Sequence, residues 1–236
     1  MSQIFLRAEW RNVAVLTYTI DPAALQPHLP KGLRLDLWEG KALVSLVGFQ
    51  FLRSRILGIR IPFWGSFPEV NLRFYVSRNT PQGEERRGVV FVKEIVPYRI
   101  VAAIARGLYN ENYHAMPMSQ TVVTGSAEYR WQTGERENRL AVTAGGLPRL
   151  PDDESLDTFI VEHHWGYSRN RDGATIEYEV GRLPWRTYPI GSYEVDVDIA
   201  GLYGPEFADA LSQPPMSVVL AEGSKVTVSF GQKLAY

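Results

Sequence analysis

Cysteine is absent from this 236-residue chain, which excludes disulfides, thiolate metal sites and a thiol nucleophile. No stretch approaches the roughly eighteen uninterrupted apolar residues that a membrane-spanning helix needs. The opening M-S-Q-I-F-L-R-A-E-W lacks a basic segment followed by a long apolar one, so no secretory signal is expected. Lysine is scarce, with 5 lysines against 20 arginines, so each lysine can be weighed as a nucleophile individually. An excess of either charge is missing too: the formal net charge is −1, leaving no basic field for nucleic acid or an acidic membrane. There is no Gly-x-Ser-x-Gly, phosphate loop or dinucleotide fingerprint, and no cofactor is expected. These absences leave a cytoplasmic protein whose partner is a small molecule, with a homo-oligomer allowed.

What is present is strand. Hydrophobic residues make up 45% and charged residues 22%, enough to bury a real core. Residues 5–20 read as a long opening strand, with Arg11 following Trp10 inside it. Asp21-Pro22 then supplies an N-cap and a proline at the first helical position of a short helix, which His28 ends from the surface. Segments 33–37 and 42–52 predict a hairpin around Glu39-Gly40. The second arm is apolar on both faces, as a covered central strand would be, and its Gly48 marks a bulge or a close backbone approach. The apolar connection 56–64 is expected to fold over a cavity or partner surface.

The central stretch is 67–76, F-P-E-V-N-L-R-F-Y-V. A period of two puts Glu69, Asn71, Arg73 and Tyr75 on one side and Val70, Leu72, Phe74 and Val76 on the other. Such a row is either a wetted sheet face laced by ion pairs or the lining of a polar pocket. The strand 89–96 is its expected antiparallel neighbour. Simple alternation there places Glu94 with Val90 and Val92, and Lys93 with Val89 and Phe91. A helix starts at Pro97. Segments 121–131, 139–143, 158–168, 174–180, 192–199 and 225–230 have strand composition, and a short helix begins at Pro205. The polar linker 145–157 brings no composition shift, so one domain over 1–236 is expected. The fold class is mainly β (α+β), an antiparallel sheet closed or nearly closed, with two or three short helices.

Three constellations could carry chemistry. Glu69, Asn71, Arg73 and Glu94 together could bind an anion and move a proton if a carboxyl pKa is shifted. In E-H-H-W-G-Y at 162–167, alternation separates the adjacent histidines, so a metal would need Glu162, His164 and a distant ligand such as His114. One histidine as a base or hydrogen-bonding core residue is the simpler reading. Lys93 could be a desolvated nucleophile, or its stem could run along the sheet to place the ammonium in solvent.

Several uncommon strings fall in order along the chain. They are E-W-R-N-V from residue 9, D-P-x-x-L-x-P-x-L-P-x-G from Asp21, P-E-V-N-L-R-F-Y-V at 68–76, G-V-V-F-V-K-E-I-V-P at 88–97, E-H-H-W-G-Y at 162–167 and A-E-G-S at 221–224. In these the chain resembles the YqjF-like family of uncharacterised conserved proteins, a domain of unknown function that is similar in fold to acetoacetate decarboxylase. The resemblance implies a β cone or barrel around a pocket, with Glu69, Asn71 and Arg73 on its wall. It also implies Arg11 near an arginine that the decarboxylases place at their pocket. Their Schiff-base lysine pair falls near Arg99, Ile100 and Val101 here, and none of these is lysine; arginine forms no imine. The expectation is a pocket for a small organic acid or carbonyl compound. Glu69 and Glu94 would be catalytic, and Arg11, Asn71, Arg73 and Tyr75 would bind substrate, in a decarboxylase-like lyase without that lysine. The other expectation is a non-catalytic ligand-binding or structural protein of the same fold.

Overall fold

A computed structural model describes residues 3–60 and 64–234. Strands dominate it: β1 (Ile4–Ile20), β2 (Arg34–Leu35), β3 (Ala42–Ile56), β4 (Ile59–Arg60), β5 (Phe67–Asn79), β6 (Glu85–Val96), β7 (Tyr113–Ala115) and β8 (Met118–Val123). They continue with β9 (Ser126–Thr133), β10 (Arg136–Ala144), β11 (Trp165–Arg169), β12 (Thr175–Arg182), β13 (Thr187–Tyr188), β14 (Ile190–Asp196), β15 (Ser217–Ser229) and β16 (Gln232–Lys233). Short helices lie between them: α1 (Pro22–Leu25), α2 (Arg99–Tyr109), α3 (Leu156–Val161), α4 (Ile199–Tyr203) and α5 (Ala208–Ser212).

Hydrogen bonding runs β15-β1-β3-β5-β6-β11-β12 and returns to β15 through Val180↔Val228 and Gly181↔Thr227. The path closes on itself, as the expected closed sheet requires. Its pairings are antiparallel except β6–β11, and β7 also adds to β6 in parallel. A ring has an inside and an outside, and period-two alternation sends successive side chains to each. Outward-facing Leu16, Val44, Leu46, Leu72 and Phe74 pack against Tyr129, Trp131, Leu140 and Val142. The latter four belong to a second sheet of order β14-β10-β9-β8. Each large side chain buried there contributes roughly 1.5–3 kcal/mol. Gly48 sits under this second layer, where an added Cβ would come within 2.5 Å of the Tyr129 ring. The close approach is to a side chain rather than to backbone.

Three local expectations are corrected. Segment 33–37 does not form a hairpin with β3, because β1 already covers that edge through Ile20↔Ala42. The segment supplies β2, which pairs with β5 at Arg34↔Ser77 and Leu35↔Val76, beyond the end of β3. The stretch 121–131 is divided by a turn at Gly125 (φ 75°) into the β8–β9 hairpin. Residues 158–161 are helical, because Ser155 caps α3 by accepting from the Thr158 amide at 3.2 Å; the strand starts only at Trp165. Of the apolar connection, residues 61–63 lie outside the described residues.

Candidate functional site

The inside of the ring holds a cavity of about 220 Å³. Most of its wall is apolar, with Trp10, Phe49, Phe51, Phe67 and Phe91 prominent. Its polar wall begins on β5, where alternation turns Glu69, Asn71 and Arg73 inward together. Across β6, Asn71 faces Glu94 and Leu72 faces Lys93, and then the register slips so that Arg73 faces Phe91. Val92 is the extra residue of a β-bulge, and it inverts the alternation that the sequence implied. Val89, Phe91 and Glu94 line the cavity, while Val90 and Val92 join the outer core. Lys93 is turned outward: its ammonium donates to the Leu202 carbonyl and lies 5.9 Å from the Tyr203 ring centre.

The chain then supplies residues that period counting does not reveal. Asn110 ends α2 in the left-handed conformation (φ 51°), and the returning segment pairs Tyr113 with Glu94. Glu111 and Tyr113 enter the cavity wall this way, opposite Tyr178 of β12. Tyr113 donates to Glu69 Oε2 at 3.1 Å, Asn71 donates to Glu69 Oε1 at 3.0 Å, and Tyr178 donates to Glu111 Oε1. Glu94 Oε2, Asn71 Oδ1 and Arg73 Nε are buried and make no hydrogen bond to the protein. Arg73 anchors by another nitrogen, donating from Nη2 to the Ile160 carbonyl at 3.4 Å.

Three carboxyls in an apolar cavity cannot all ionise cheaply. Burial is the largest influence on each and favours the protonated form. Glu69 is raised to about 7, against the pull of the Asn71 and Tyr113 hydrogen bonds and the Arg73 charge. Glu111 is raised to about 8, by burial and the charge of Glu69 against the Tyr178 hydrogen bond. Glu94 goes well above the usual carboxylate range, through burial and then the charges of Glu111 and Glu69. Such groups titrate as a set, sharing protons near neutrality.

Not every residue of the expected site is here. Tyr75 does not line the cavity; its hydroxyl meets Ser45 Oγ at 2.6 Å, and its ring packs 4.8 Å from the His163 ring centre. Arg11 is also elsewhere. Asn12 takes φ 53° and the β1–β3 register slips after Arg11, so Trp10 and Val13 face inward and Arg11 does not. Its guanidinium donates to Glu9 Oε2 from Nε at 3.1 Å and Nη2 at 3.0 Å, beside an open depression lined by Gln50 and Glu222.

Among the histidines, His163 lines the cavity with Nε2 2.9 Å from Asp36 Oδ2, and burial lowers its pKa. His164 pairs with Glu162 at 2.9 Å, but the next member of that chain is Arg182, and His114 sits against Asn112. No group of three metal-ligating side chains occurs among the described residues. Where the decarboxylase lysines would fall, Ile100 and Val101 line the cavity and Arg99 is exposed. No described lining residue is a lysine.

Comparison with known proteins places this geometry. A family model described as an uncharacterized conserved protein, DUF2071, matches residues 7–225. The chain belongs to the DUF2071 family. The chain is also similar to the uncharacterized protein YqjF of Bacillus subtilis (strain 168), at 27% identity over 185 residues, spanning 76% of this chain and 74% of YqjF. In three dimensions, this DUF2071 protein is similar to the acetoacetate decarboxylase of Legionella pneumophila. That match has a TM-score of 0.68 and 16% identity, covering 99% of this chain and 88% of that one. It is also similar to the enduracididine biosynthesis enzyme MppR complexed with pyruvate, at a TM-score of 0.65 and 16% identity over 100% and 92% of the two chains. At such identities the likeness establishes the fold alone. The DUF2071 chain has the acetoacetate decarboxylase-like fold.

Proposed function

We propose that this protein binds a small organic acid or carbonyl compound in the ring cavity and moves a proton at the carbon beside its carbonyl, without a lysine imine. The observation that carries this reading is the Glu69–Glu94–Glu111 set. These carboxyls hold protons near neutral pH beside a guanidinium whose Nε–H has no protein partner. Arg73 would hold the substrate carboxylate, since a guanidinium suits planar anions. Ionised Glu69 would take the proton from carbon as that C–H bond breaks, and the electron pair would move to the carbonyl oxygen. Protonated Glu94, whose Oε2 is free of protein partners, would give that oxygen its proton. Return of the proton from Glu69 to carbon, with the enol O–H proton passing back to Glu94 as the carbonyl re-forms, resets both groups. A base and an acid active at one pH are what coupled carboxyls provide. The similar fold of a pyruvate-bound enzyme supports a carbonyl acid as the ligand class.

A second reading, binding without turnover, is favoured by the absence of lysine from the described cavity wall. Exchange of the α-protons of 2-oxobutanoate in D2O, followed by proton NMR, separates the two. The acid–base reading predicts exchange faster than buffer, reduced on the order of 100-fold or more by Glu69→Gln with thermal stability retained. Binding with no exchange above buffer would support the second reading.

A further inference from the structure

The carboxyl set occupies only part of the cavity; the rest of its wall is mostly apolar and includes residues that are exposed at the surface. Ile100 and Ile104 of α2 line the cavity yet are 43% and 37% exposed, and Trp64 lines it at 36% exposed. These residues therefore form its mouth. Beyond it, Leu108 continues the helix face at the same four-residue spacing and is 40% exposed. Isolated exposed hydrophobics are ordinary, but a row joined to the wall of a cavity is a place where an apolar group rests.

Resting on the reading above, we infer that the substrate is an amphipathic carbonyl acid. Its head lies at Arg73 and the carboxyls, and its unbranched aliphatic tail runs out between Trp64 and α2 along Ile100, Ile104 and Leu108. Size supports this assignment. An apolar cavity of roughly 150 Å³ holds benzene, so 220 Å³ holds about nine non-hydrogen atoms. A 2-oxo acid head fills about half of that, leaving room for a few methylenes inside before the chain reaches the mouth. A substrate as short as 2-oxobutanoate would leave the aromatic wall of Phe49, Phe51 and Phe67 without an apolar partner. A tail covers that wall.

The test is a binding series of straight-chain 2-oxo acids from four to ten carbons, measured calorimetrically on the whole protein. Affinity is expected to rise about three- to fourfold for each added methylene, as burial of a CH2 group implies. Ile104→Ser should flatten that slope at the longer members. If all lengths bind equally, the tail assignment is overturned while the small-acid reading stands. If no member binds, both fall. A change of oligomeric state in Ile104→Ser, together with a flat series in the unaltered protein, would make the helix face a contact between copies of this chain and overturn the inference.

Discussion

Protons, more than contacts, set apart the residues of this cavity. Burial raises the folded pKa of Glu69, Glu94 and Glu111 above the ordinary unfolded one. Between those values the folded protein binds more protons than the unfolded chain, and stability falls as pH rises. Above about pH 6.5 the unfolded histidines are more than half neutral, so His163, shifted the other way, opposes the trend less and less as pH rises. From about pH 6.5 to 8.5, thermal unfolding should therefore show declining stability, on the order of 1.4 kcal/mol per pH unit for each proton retained. Glu94→Gln, which removes one of the interacting charges, should make the decline shallower. A flat profile in the unaltered protein would mean that the carboxyls ionise freely. Strand period put Glu69, Asn71 and Arg73 on one face of one strand, but it left open whether that face meets solvent or a pocket, and only the family resemblance pointed to the pocket. Glu111, Tyr113 and Tyr178 come from a post-helical return and from a strand across the ring, and their meeting is a property of ring closure that local pattern does not carry.

Elements fail or succeed by single residues at their joints. The unpaired Val92 turns Glu94 inward and Lys93 outward, and no propensity in G-V-V-F-V-K-E-I-V marks it. A similar irregularity at Asn12 takes Arg11 off the inner face. Of the sheet order only the β5–β6 pairing was readable; alternation and doubly apolar composition marked β1 and β3 as strands without showing that β3 lies between β1 and β5. The helical start of the 158–168 stretch was missed because Ser155 lies just before it, and a single cap outweighed strand-like composition. Two glycines test the element account. Gly166 faces Tyr178, and a Cβ there would overlap the tyrosine ring that donates to Glu111. Gly166→Ala should cost about 1–3 kcal/mol in denaturant titration, as overpacking does. Gly107 lies within α2 with no atom near its would-be Cβ, so Gly107→Ala should stabilise by about 0.4–1 kcal/mol. Equal effects at the two positions would contradict the packing described.

At the scale of the whole molecule, the ring and the second sheet do different work. The second sheet buries the outer face of the ring, and the inner face is left to shape a cavity. No helix among the described residues is long and apolar enough to cross a membrane. The family and the acetoacetate decarboxylase-like fold were legible in the sequence through a handful of ordered strings, and the family match over 7–225 and the structural likenesses bear them out. The fold does not bring the imine lysines with it: Ile100 and Val101 occupy the cavity wall where the resemblance implies them, and Lys93 is turned away from the cavity, toward Leu202. Our account is therefore of a decarboxylase-like ring in which carboxyls and a guanidinium act without an imine. The most direct measurement is α-proton exchange of 2-oxobutanoate after the protein has been incubated with that acid and borohydride. We predict that exchange is undiminished and that no lysine peptide gains the mass of a reduced adduct. Loss of exchange together with an adduct on Lys93 would contradict the account.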